Sequence, residues 1–361
     1  STVATNDLRR VAYRVARHYL GTSAAWLDAH ARLTDTSHIN AYAGYVNTTW
    51  HVTSRFELEA CLSFRHDSQH YSQSGYGLLI TGLPPPPEVL IDNHSADSTT
   101  TFSFSPKFHI NDKTMLYARV ASGFLPGGPN VVPAIVAPNV PKTFTPTQLT
   151  DYELGLKSTS LDQRLMVDLS AYYIDWTKIP LTTYQYNFTF LSNAGAAQSK
   201  GLEATIRFIP ARGLTLSANA SYSDPTLTKN APPPSNGKVG DRLPYAPKFT
   251  LGLNGDYDFA LGGGWHGFVG AGYTYISERS SDFTTTPGVP SPTIPGYNTI
   301  NLRAGVNDDQ WSIDAYVKNV TNQRGIVLLG GAALNPITDN TESDITLITP
   351  RLFGISVSRN F

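Results

Sequence analysis

Cysteine is nearly absent from this chain, since Cys61 is the only one among its 361 residues. A single cysteine excludes a disulfide within the chain and any multi-cysteine metal site. Charge is scarce as well: Asp, Glu, Lys and Arg make up 15% of the residues, against roughly 25% in ordinary soluble domains. The net charge of −1 indicates no general electrostatic attraction to nucleic acid, so we expect no nucleic-acid partner.

Long apolar runs are also missing, and no stretch of about 18 apolar residues predicts a transmembrane helix. No charged segment followed by an apolar one opens the chain at Ser1. We therefore expect either that a signal peptide has been removed or that the chain starts inside a longer protein. There is no G-x-S-x-G nucleophile motif and no Walker or dinucleotide-binding glycine pattern. We accordingly expect no enzymatic activity and no cofactor.

The clearest pattern that is present runs from Lys200 to Tyr222. Leu202, Ala204, Ile206 and Phe208 alternate with polar residues, and the same alternation returns after a tight turn at 210–213. A period of two predicts β-strands, because successive side chains point to opposite faces. The pattern therefore predicts an antiparallel hairpin with one apolar and one polar face. Its arms are long enough to cross a bilayer when tilted.

Similar alternation recurs along the whole chain and predicts an all-β fold of about 14 strands. Besides the two arms of this hairpin, we assign strands to residues 8–20, 25–52, 55–71, 98–110, 113–124, 148–160, 164–185, 246–260, 264–277, 297–307, 310–322 and 351–361. Splitting residues 25–52 would give 15 strands. Because 34–38 is too short for an outer loop, we prefer 14, an even number that puts both chain ends on one side.

From residue 52 onward, short turns alternate with long loops rich in Pro and Gly. The long loops lie near residues 72–97, 125–147, 225–244, 280–296 and 328–347. A soluble sandwich or propeller, which is the alternative, has no reason for this asymmetry. An outer-membrane barrel has short periplasmic turns and long extracellular loops. The Pro84–Pro87 run is not compatible with a central strand, and the terminal aromatic Phe361 is typical of the last strand of such barrels.

The two faces of the predicted barrel differ in composition. Apolar positions such as Leu251, Val269 and Leu302 share one strand parity and are expected to face lipid. Tyr and Trp near strand ends predict an aromatic girdle. We expect the polar parity to line the lumen, where the charged positions are Arg119, Glu153, Lys157, Glu203, Arg207, Asp256 and Arg303.

Residues Leu116–Asn130 carry a motif that resembles the "YaR…GF.PGG" segment of TonB-dependent receptors. Four further segments resemble the same family, in the family's order: Tyr152–Ser158, Asn193–Gly195 with Ser199–Glu203, Tyr245–Lys248 and Lys318–Asn322. The resemblance implies an outer-membrane receptor of a Gram-negative bacterium. It also implies uptake of a scarce ligand such as a ferric siderophore, a barrel of 22 strands, an N-terminal plug and coupling to the TonB complex.

The chain departs from the family because it has room for about 14 strands and shows neither a plug domain nor a TonB box. We therefore treat residues 1–361 as barrel only. Two interpretations stay open: a fragment of a larger barrel, completed by more polypeptide or by a partner chain, or a shortened barrel that closes on itself. The second would be a passive pore or a structural subunit of an outer-membrane complex. Both contact outer-membrane lipid, and TonB is a partner only if a plug exists elsewhere.

Ligand-binding candidates lie near the outer mouth, where aromatic rings offer stacking area for a siderophore or a sugar. They are Tyr184, Tyr186, Phe188, Tyr275 and Arg279. The alternative, which we consider stronger, is that these residues belong to the girdle or pack the loops. His66 and His70 lie on one parity of a strand end and allow a metal site, but a polar rim explains them better, so we expect no metal.

Overall fold

The computed structural model describes residues 2–6, 32–77, 83–130, 132, 140–185, 188–231, 236–283, 293–335 and 340–359. Antiparallel strands dominate these residues. None of the described segments forms a helix long and apolar enough to cross a membrane. Most of the strands belong to one large sheet, and three small hairpins lie in the connections.

The large sheet contains 14 strands. They are β1 (Thr2–Asn6), β2 (Arg32–His51), β3 (Phe56–Gly77), β4 (Leu83–Asn111), β5 (Thr114–Leu125), β8 (Thr147–Ser160), β9 (Leu165–Gln185), β10 (Phe188–Ala211), β11 (Leu214–Leu227), β12 (Phe249–Gly262), β13 (Trp265–Ile276), β16 (Tyr297–Asn307), β17 (Trp311–Lys318) and β20 (Leu352–Arg359). Each strand pairs with the next in this order. The predicted all-β fold of about 14 strands is confirmed.

The remaining strands form two-stranded sheets at the long-loop end. They pair β6 (Gly128–Pro129) with β7 (Thr143–Phe144), β14 (Arg279–Ser280) with β15 (Thr293–Ile294), and β18 (Ile326–Asn335) with β19 (Asn340–Leu347). The β18–β19 hairpin falls in the segment 328–347 that we predicted as a loop. That part of the prediction is wrong, because this segment pairs with itself rather than with the large sheet.

All six predicted short turns join neighbouring strands of the large sheet, at 52–55, 112–113, 161–164, 212–213, 263–264 and 308–310. Left-handed backbone marks three of them: Leu161–Gln163 all have positive φ, Gly213 has φ 82°, and Gly262–Gly264 are all positive. Glycine adopts this region at no steric cost. The hairpin that we predicted between Lys200 and Tyr222 is β10–β11, with Leu202 opposite Tyr222.

Three strands extend well beyond their predicted limits, and one of them is β10, which begins at Phe188 although the segment 187–196 was predicted as a loop. β3 continues to Gly77 and β4 begins at Leu83, so much of the predicted loop 72–97 is strand. The Pro84–Pro87 run lies inside β4, contrary to our prediction. Its position is explained by the register: Leu83 pairs with Gly77 and Glu88 with Gly75, which leaves the four prolines without partners. Proline is tolerated at such a bulge because no ladder hydrogen bond is required there.

The first predicted strand, 8–20, lies outside the described residues, as does Phe361. In the structure the large sheet begins with β1, which pairs only with Leu33–Ser37 of β2. Its other edge is β20, and among the described residues β1 and β20 do not pair with each other. Within the described residues, the sheet is therefore not closed into a barrel.

One face of the sheet is a continuous apolar surface with many exposed side chains, including Leu154, Leu202 and Ile355 at 64%, 59% and 78% exposure. Such exposure is what a lipid-facing surface requires. The buried apolar core lies among the loop-end residues instead, in a cluster of Ile179, Ala197, Leu227, Ala231 and Phe283. The loop end of the molecule therefore has an apolar core of its own.

Candidate functional site

The seven predicted lumen charges share one face of the sheet. The cross-strand register shows this. Arg119 is opposite Glu153, and Glu203 is opposite Ser221. Gly270 is opposite both Asp256 and Arg303 on its two neighbouring strands. Directly opposed residues point to the same side. We call this surface the polar face. It is opposite the apolar face of Leu202 and Leu302, as the alternation predicts.

The densest group on the polar face joins β5 and β8. Nη2 of Arg119 lies 2.7 Å from Oδ2 of Asp151 and 3.3 Å from Oε2 of Glu153, and the Tyr117 hydroxyl donates to Oε1 of Glu153 at 2.6 Å. Asp151 is buried, and its Oδ1 has no hydrogen-bond partner among the described residues. Asp151 was not among the predicted residues, although it lies two residues from Glu153 on the same parity.

Three more ion pairs lie on this face; two of them join neighbouring strands, and the Asp256–Arg303 pair bridges β12 and β16 across β13. Lys157 Nζ lies 2.8 Å from Asp168 Oδ2, and Arg303 Nη2 lies 2.6 Å from Asp256 Oδ1. Lys107, which we did not single out, lies 2.6 Å from Glu59. Glu203 and Arg207 have no ion-pair partner within the described part of the chain. Because these pairs are partly exposed, they contribute little to stability. Their main effect is on the distribution of charge over the polar face.

Beyond the apolar band, β3 and β4 bring two carboxylates together. The band on these strands ends at Phe64 and Thr100, and further along Asp67 lies directly opposite Asp97. Arg65 binds Asp67, with Nη2 2.7 Å from Oδ1. Burial, followed by the Asp67 charge, raises the pKa of Asp97, while Lys178 and His66 oppose the rise. Paired acids on adjacent strands were not part of the predicted site.

The "PGG" glycines of the receptor-like motif lie next to this acid pair. A Cβ on Gly127 would lie 2.5 Å from the carbonyl oxygen of Phe144 and 2.7 Å from Oδ2 of Asp97. Gly128 has Gln69 Oε1 and the Phe144 ring at 3.2 and 3.3 Å from its Cβ position. The glycines therefore allow the loop to approach β4 and β7 closely, which gives the motif a steric explanation.

The structure does not bring the five predicted ligand-binding residues together. Tyr186 lies outside the described residues, and of Tyr184 and Phe188 only the backbone is described, at the end of the β9–β10 hairpin. Tyr275 lies on the apolar face, where its ring centroid is 6.2 Å from that of Phe249. This is the arrangement expected of a girdle residue, and a ligand-binding role for Tyr275 stays a prediction.

Arg279 is buried, with 6% of its surface exposed. Its Nη2 donates to the carbonyl oxygens of Ile326 at 2.8 Å and Val327 at 3.2 Å, and its guanidinium lies 6.0 Å from the Tyr297 ring centroid. The Tyr245 hydroxyl donates to the carbonyl oxygen of Leu329 at 2.6 Å. Arg279 and Tyr245 thus hold β18 in place. A direct ligand contact by Arg279 stays a prediction.

His66 and His70 do lie on the outer side of β3, beyond the apolar band. His66 Nδ1 lies 2.9 Å from the Ser98 hydroxyl, and His70 Nε2 is 2.5 Å from Asp92 Oδ1. Within the residues that the structure describes, no three His, Cys, Asp or Glu side chains are grouped to hold a metal ion. The two histidines instead make polar contacts within the extended hairpin.

A sheet with one apolar and one polar face, short turns at one end and packed loops at the other defines a class, the transmembrane β-barrels of outer-membrane type. Comparison with known proteins identifies the family within this class. Residues 3–320 match the family model "TonB dependent receptor-like, beta-barrel". The chain belongs to this family, as its motifs suggested.

The relatives and solved structures agree with this assignment. The pesticin receptor of Yersinia pestis is 30% identical over 224 residues, 61% of this chain and 31% of the receptor. The metal-pseudopaline receptor CntO of Pseudomonas aeruginosa is 30% identical over 191 residues, 52% of this chain and 24% of CntO. The ferric yersiniabactin uptake receptor FyuA from Yersinia pestis matches with a TM-score of 0.72 at 20% identity, covering 92% of this chain and 47% of FyuA. The chain thus spans about a third of the length of the first curated relatives.

Proposed function

We propose that the chain forms part of an outer-membrane receptor that takes up a scarce ligand such as a ferric siderophore in a Gram-negative bacterium. The observation that carries this proposal is the family match over residues 3–320. Relatives named as pesticin and metal-pseudopaline receptors support a receptor role. A polar, ion-paired wall opposite an apolar face supports a solute-filled or protein-filled lumen. Neither feature suggests catalysis.

These 361 residues contribute barrel and no plug in this proposal. Energy-coupled uptake then requires a plug and a TonB-binding segment from polypeptide outside them, and TonB is the inferred partner. The unpaired edges of the large sheet support completion by additional strands, from the same protein or a partner chain. Backbone groups in lipid must all be hydrogen-bonded, so open edges are not stable in a membrane.

Uptake by cells tests the proposal. In the source bacterium, deletion of the gene is expected to abolish accumulation of at least one ⁵⁵Fe–siderophore from a panel under iron limitation. Complementation restores accumulation, and deletion of tonB in the complemented strain removes it again. Unchanged accumulation of every complex in the panel after deletion of the gene would contradict a role in ferric siderophore uptake.

The second candidate, a passive pore, makes the opposite prediction. A self-closed barrel would give steady single-channel conductance in planar bilayers, and its transport would not depend on TonB. The open sheet favours the receptor, because among the described residues the two edges do not meet.

A further inference from the structure

Two asparagines of the receptor-like motif segments, Asn130 and Asn193, connect two of the long-loop regions. Asn130 directly follows β6 and Thr145 directly follows β7, so these residues mark the base of the small β6–β7 hairpin. Asn193 lies on β10, toward the outer end of the β9–β10 hairpin. The contacts of the two asparagines therefore decide how these two hairpins are held relative to each other.

The side chain of Asn130 pairs with β10 as a neighbouring strand would. Its Nδ2 donates to the carbonyl oxygen of Leu191, and the Leu191 N–H donates to its Oδ1, both at 2.9 Å. The same Nδ2 donates to the carbonyl oxygen of Pro141 at 2.9 Å, and Asn130 is only 3% exposed. Because a buried amide that loses its partners carries a desolvation cost, Asn130 keeps this position only while β10 stays in place.

Asn193 makes the reverse contact, from the strand to the loop. Its Nδ2 donates to the carbonyl oxygen of Thr145 at 2.8 Å, and the Thr145 N–H donates to its Oδ1 at 2.7 Å. The same Nδ2 donates to the carbonyl oxygen of Lys178 on β9 at 3.0 Å, next to the irregular register between Asn193 and Gly195. Each hairpin thus supplies a side-chain amide that pairs with both backbone groups of one residue on the other.

Apolar packing and a third asparagine reinforce the same contact. Val132 and Val140, from the loop, form a buried cluster with Phe190 of β10. Asn93 of β4, also buried, donates through Nδ2 to the backbone carbonyl oxygen of Asn130 at 2.8 Å. Separation of the hairpins would expose this cluster and break both amide pairs together, so the contact is built to open as a whole.

We propose that Asn130 and Asn193 are positioning residues that join the β6–β7 hairpin and the outer end of β9–β10 into one cooperative unit. Proteins open locally in contiguous units of this kind, and reciprocal bonding gives both hairpins the same opening event. The inference deepens the proposed uptake function, since a ligand that displaces either hairpin would then displace both. The coupling itself does not rest on that function.

Hydrogen–deuterium exchange resolved to single amides tests the coupling, with the whole chain in detergent micelles and without ligand. Asn130→Ala removes the partner of the Leu191 amide but leaves that of the Thr145 amide. We expect exchange at both amides to accelerate at least about 5-fold, because loss of one or more buried hydrogen bonds lowers the free energy of the shared opening. Asn193→Ala is expected to accelerate the same two amides.

Asn319→Ala is the matched control. Asn319 is a buried motif asparagine whose side chain makes three comparable hydrogen bonds, with Gln323 and Thr349. This variant should accelerate exchange at Gln323 and leave Leu191 and Thr145 as in the wild type.

The cross-effect decides the outcome. Acceleration of the Leu191 amide alone in Asn130→Ala, or of the Thr145 amide alone in Asn193→Ala, would show that the two contacts open independently and would overturn the proposal. Unchanged exchange at the amides of the β11–β12 ladder verifies that the fold is intact. Asn193→Asp, which keeps the acceptor for Thr145, serves if an alanine variant does not fold, and it should still accelerate Leu191. Because no ligand is present, these results and the uptake assay can fail separately.

Discussion

At the scale of single residues, three glycines are explained by tyrosines on the neighbouring strand. A Cβ on Gly155 would overlap the ring of Tyr117, one on Gly201 would overlap Tyr172, and one on Gly354 would overlap Tyr316. In each case the two residues are cross-strand partners on the polar face. Atoms of the tyrosine side chain occupy the space that a Cβ would need, so the tyrosine covers the backbone of the glycine.

Gly201→Ala is expected to destabilise the folded protein by about 1–3 kcal/mol, because overpacking forces neighbouring groups apart. The tyrosine ring can move, but the added Cβ would also lie 2.5 Å from the backbone oxygen of Tyr222. Urea unfolding in lipid vesicles, followed by tryptophan fluorescence, measures the change. Gly252→Ala is the control on the same face, where the nearest atom is Asn219 Nδ2 at 3.9 Å. Equal losses in both variants would contradict the steric explanation.

The Asp67–Asp97 pair predicts a stability that depends on pH. The pKa of Asp97 is raised above its ordinary value of 3.8, so the folded state binds this proton more tightly than the unfolded state. The resulting penalty is absent below the ordinary pKa and appears as the pH rises through the raised pKa. Asp97→Asn removes this penalty. We expect it to stabilise the protein at pH 7 by about 0.2–1 kcal/mol, the range of cross-strand charge pairs.

Unfolding of wild type and Asp97→Asn at pH 7 and at low pH tests this expectation. The gain should shrink as the pH falls toward 3.8. Asp162→Asn, in the exposed β8–β9 turn, is the control for removal of a carboxylate at the surface. A gain that is independent of pH would show that the charge of the buried Asp97 carboxylate is not the cause.

The residues of the polar face could be predicted from the sequence, but the ion pairs that they form could not. Strand parity alone selects Arg119, Glu153 and Arg303. Which carboxylate each cation meets depends on register, and register is fixed by turn lengths and bulges that parity does not reveal. For the same reason, neither the ion pair of Asp151 nor the Asp67–Asp97 pair was predicted. The burial of Arg279 beside β18 was not predicted either, because the sequence does not show which segment covers it.

At the scale of elements, the hairpins with short turns were the most predictable part of the chain. Alternation persists up to each turn, and the turn residues carry their own signals, as in Gly262–Gly264. Strand ends at the loop side were less predictable. β3 and β4 continue beyond the apolar band with polar side chains on both faces, so alternation stops marking them as strand although their backbones still pair.

The β18–β19 hairpin leads to a prediction at this scale. Arg279→Lys and Tyr245→Phe each remove donors to the carbonyl oxygens of β18. Each hydrogen bond contributes about 0.5–1.5 kcal/mol, and those from a charged donor about 1.5–3 kcal/mol. We expect proteinase K to cleave within residues 326–347 at least about 5-fold faster in both variants, with the larger effect for Arg279→Lys.

Mass spectrometry of the fragments from protein in vesicles locates the cleavage. Tyr257→Phe is the matched control, because Tyr257 lies on the apolar face, where its ring stacks on Phe259. Its cleavage pattern should equal that of the wild type. Unchanged cleavage in Arg279→Lys would mean that the hairpin is held by other contacts.

At the scale of the whole molecule, the edges of the large sheet bear on the two interpretations that the sequence left open. The sequence alone predicted the strand number but not closure, because closure depends on shear and tilt around the complete ring. In the structure β20 pairs with β17 on one side only. On the apolar face of this strand Phe353, Ile355 and Val357 are exposed, as they would be in lipid. An open edge at membrane depth costs several kcal/mol for each unpaired group, which favours the interpretation in which further strands complete the barrel.

Cysteine cross-linking tests closure in a Cys61→Ser background. If β1 and β20 paired to close the 14 strands, the variant Thr5→Cys/Ile355→Cys would carry two thiols on adjacent strands. Oxidation would then link these thiols, provided that the register of the pair brings them opposite each other. We expect no link within the chain, because β1 and β20 are opposite edges of the open sheet.

Thr5→Cys with Thr34→Cys is the positive control, since these residues are direct partners in β1–β2. Disulfides require Cα atoms within about 7 Å, so scanning Ser356 and Val357 in place of Ile355 covers neighbouring registers. A link to any of these three positions, together with single-channel conductance of the purified chain, would establish a self-closed pore instead of a receptor barrel completed by additional strands.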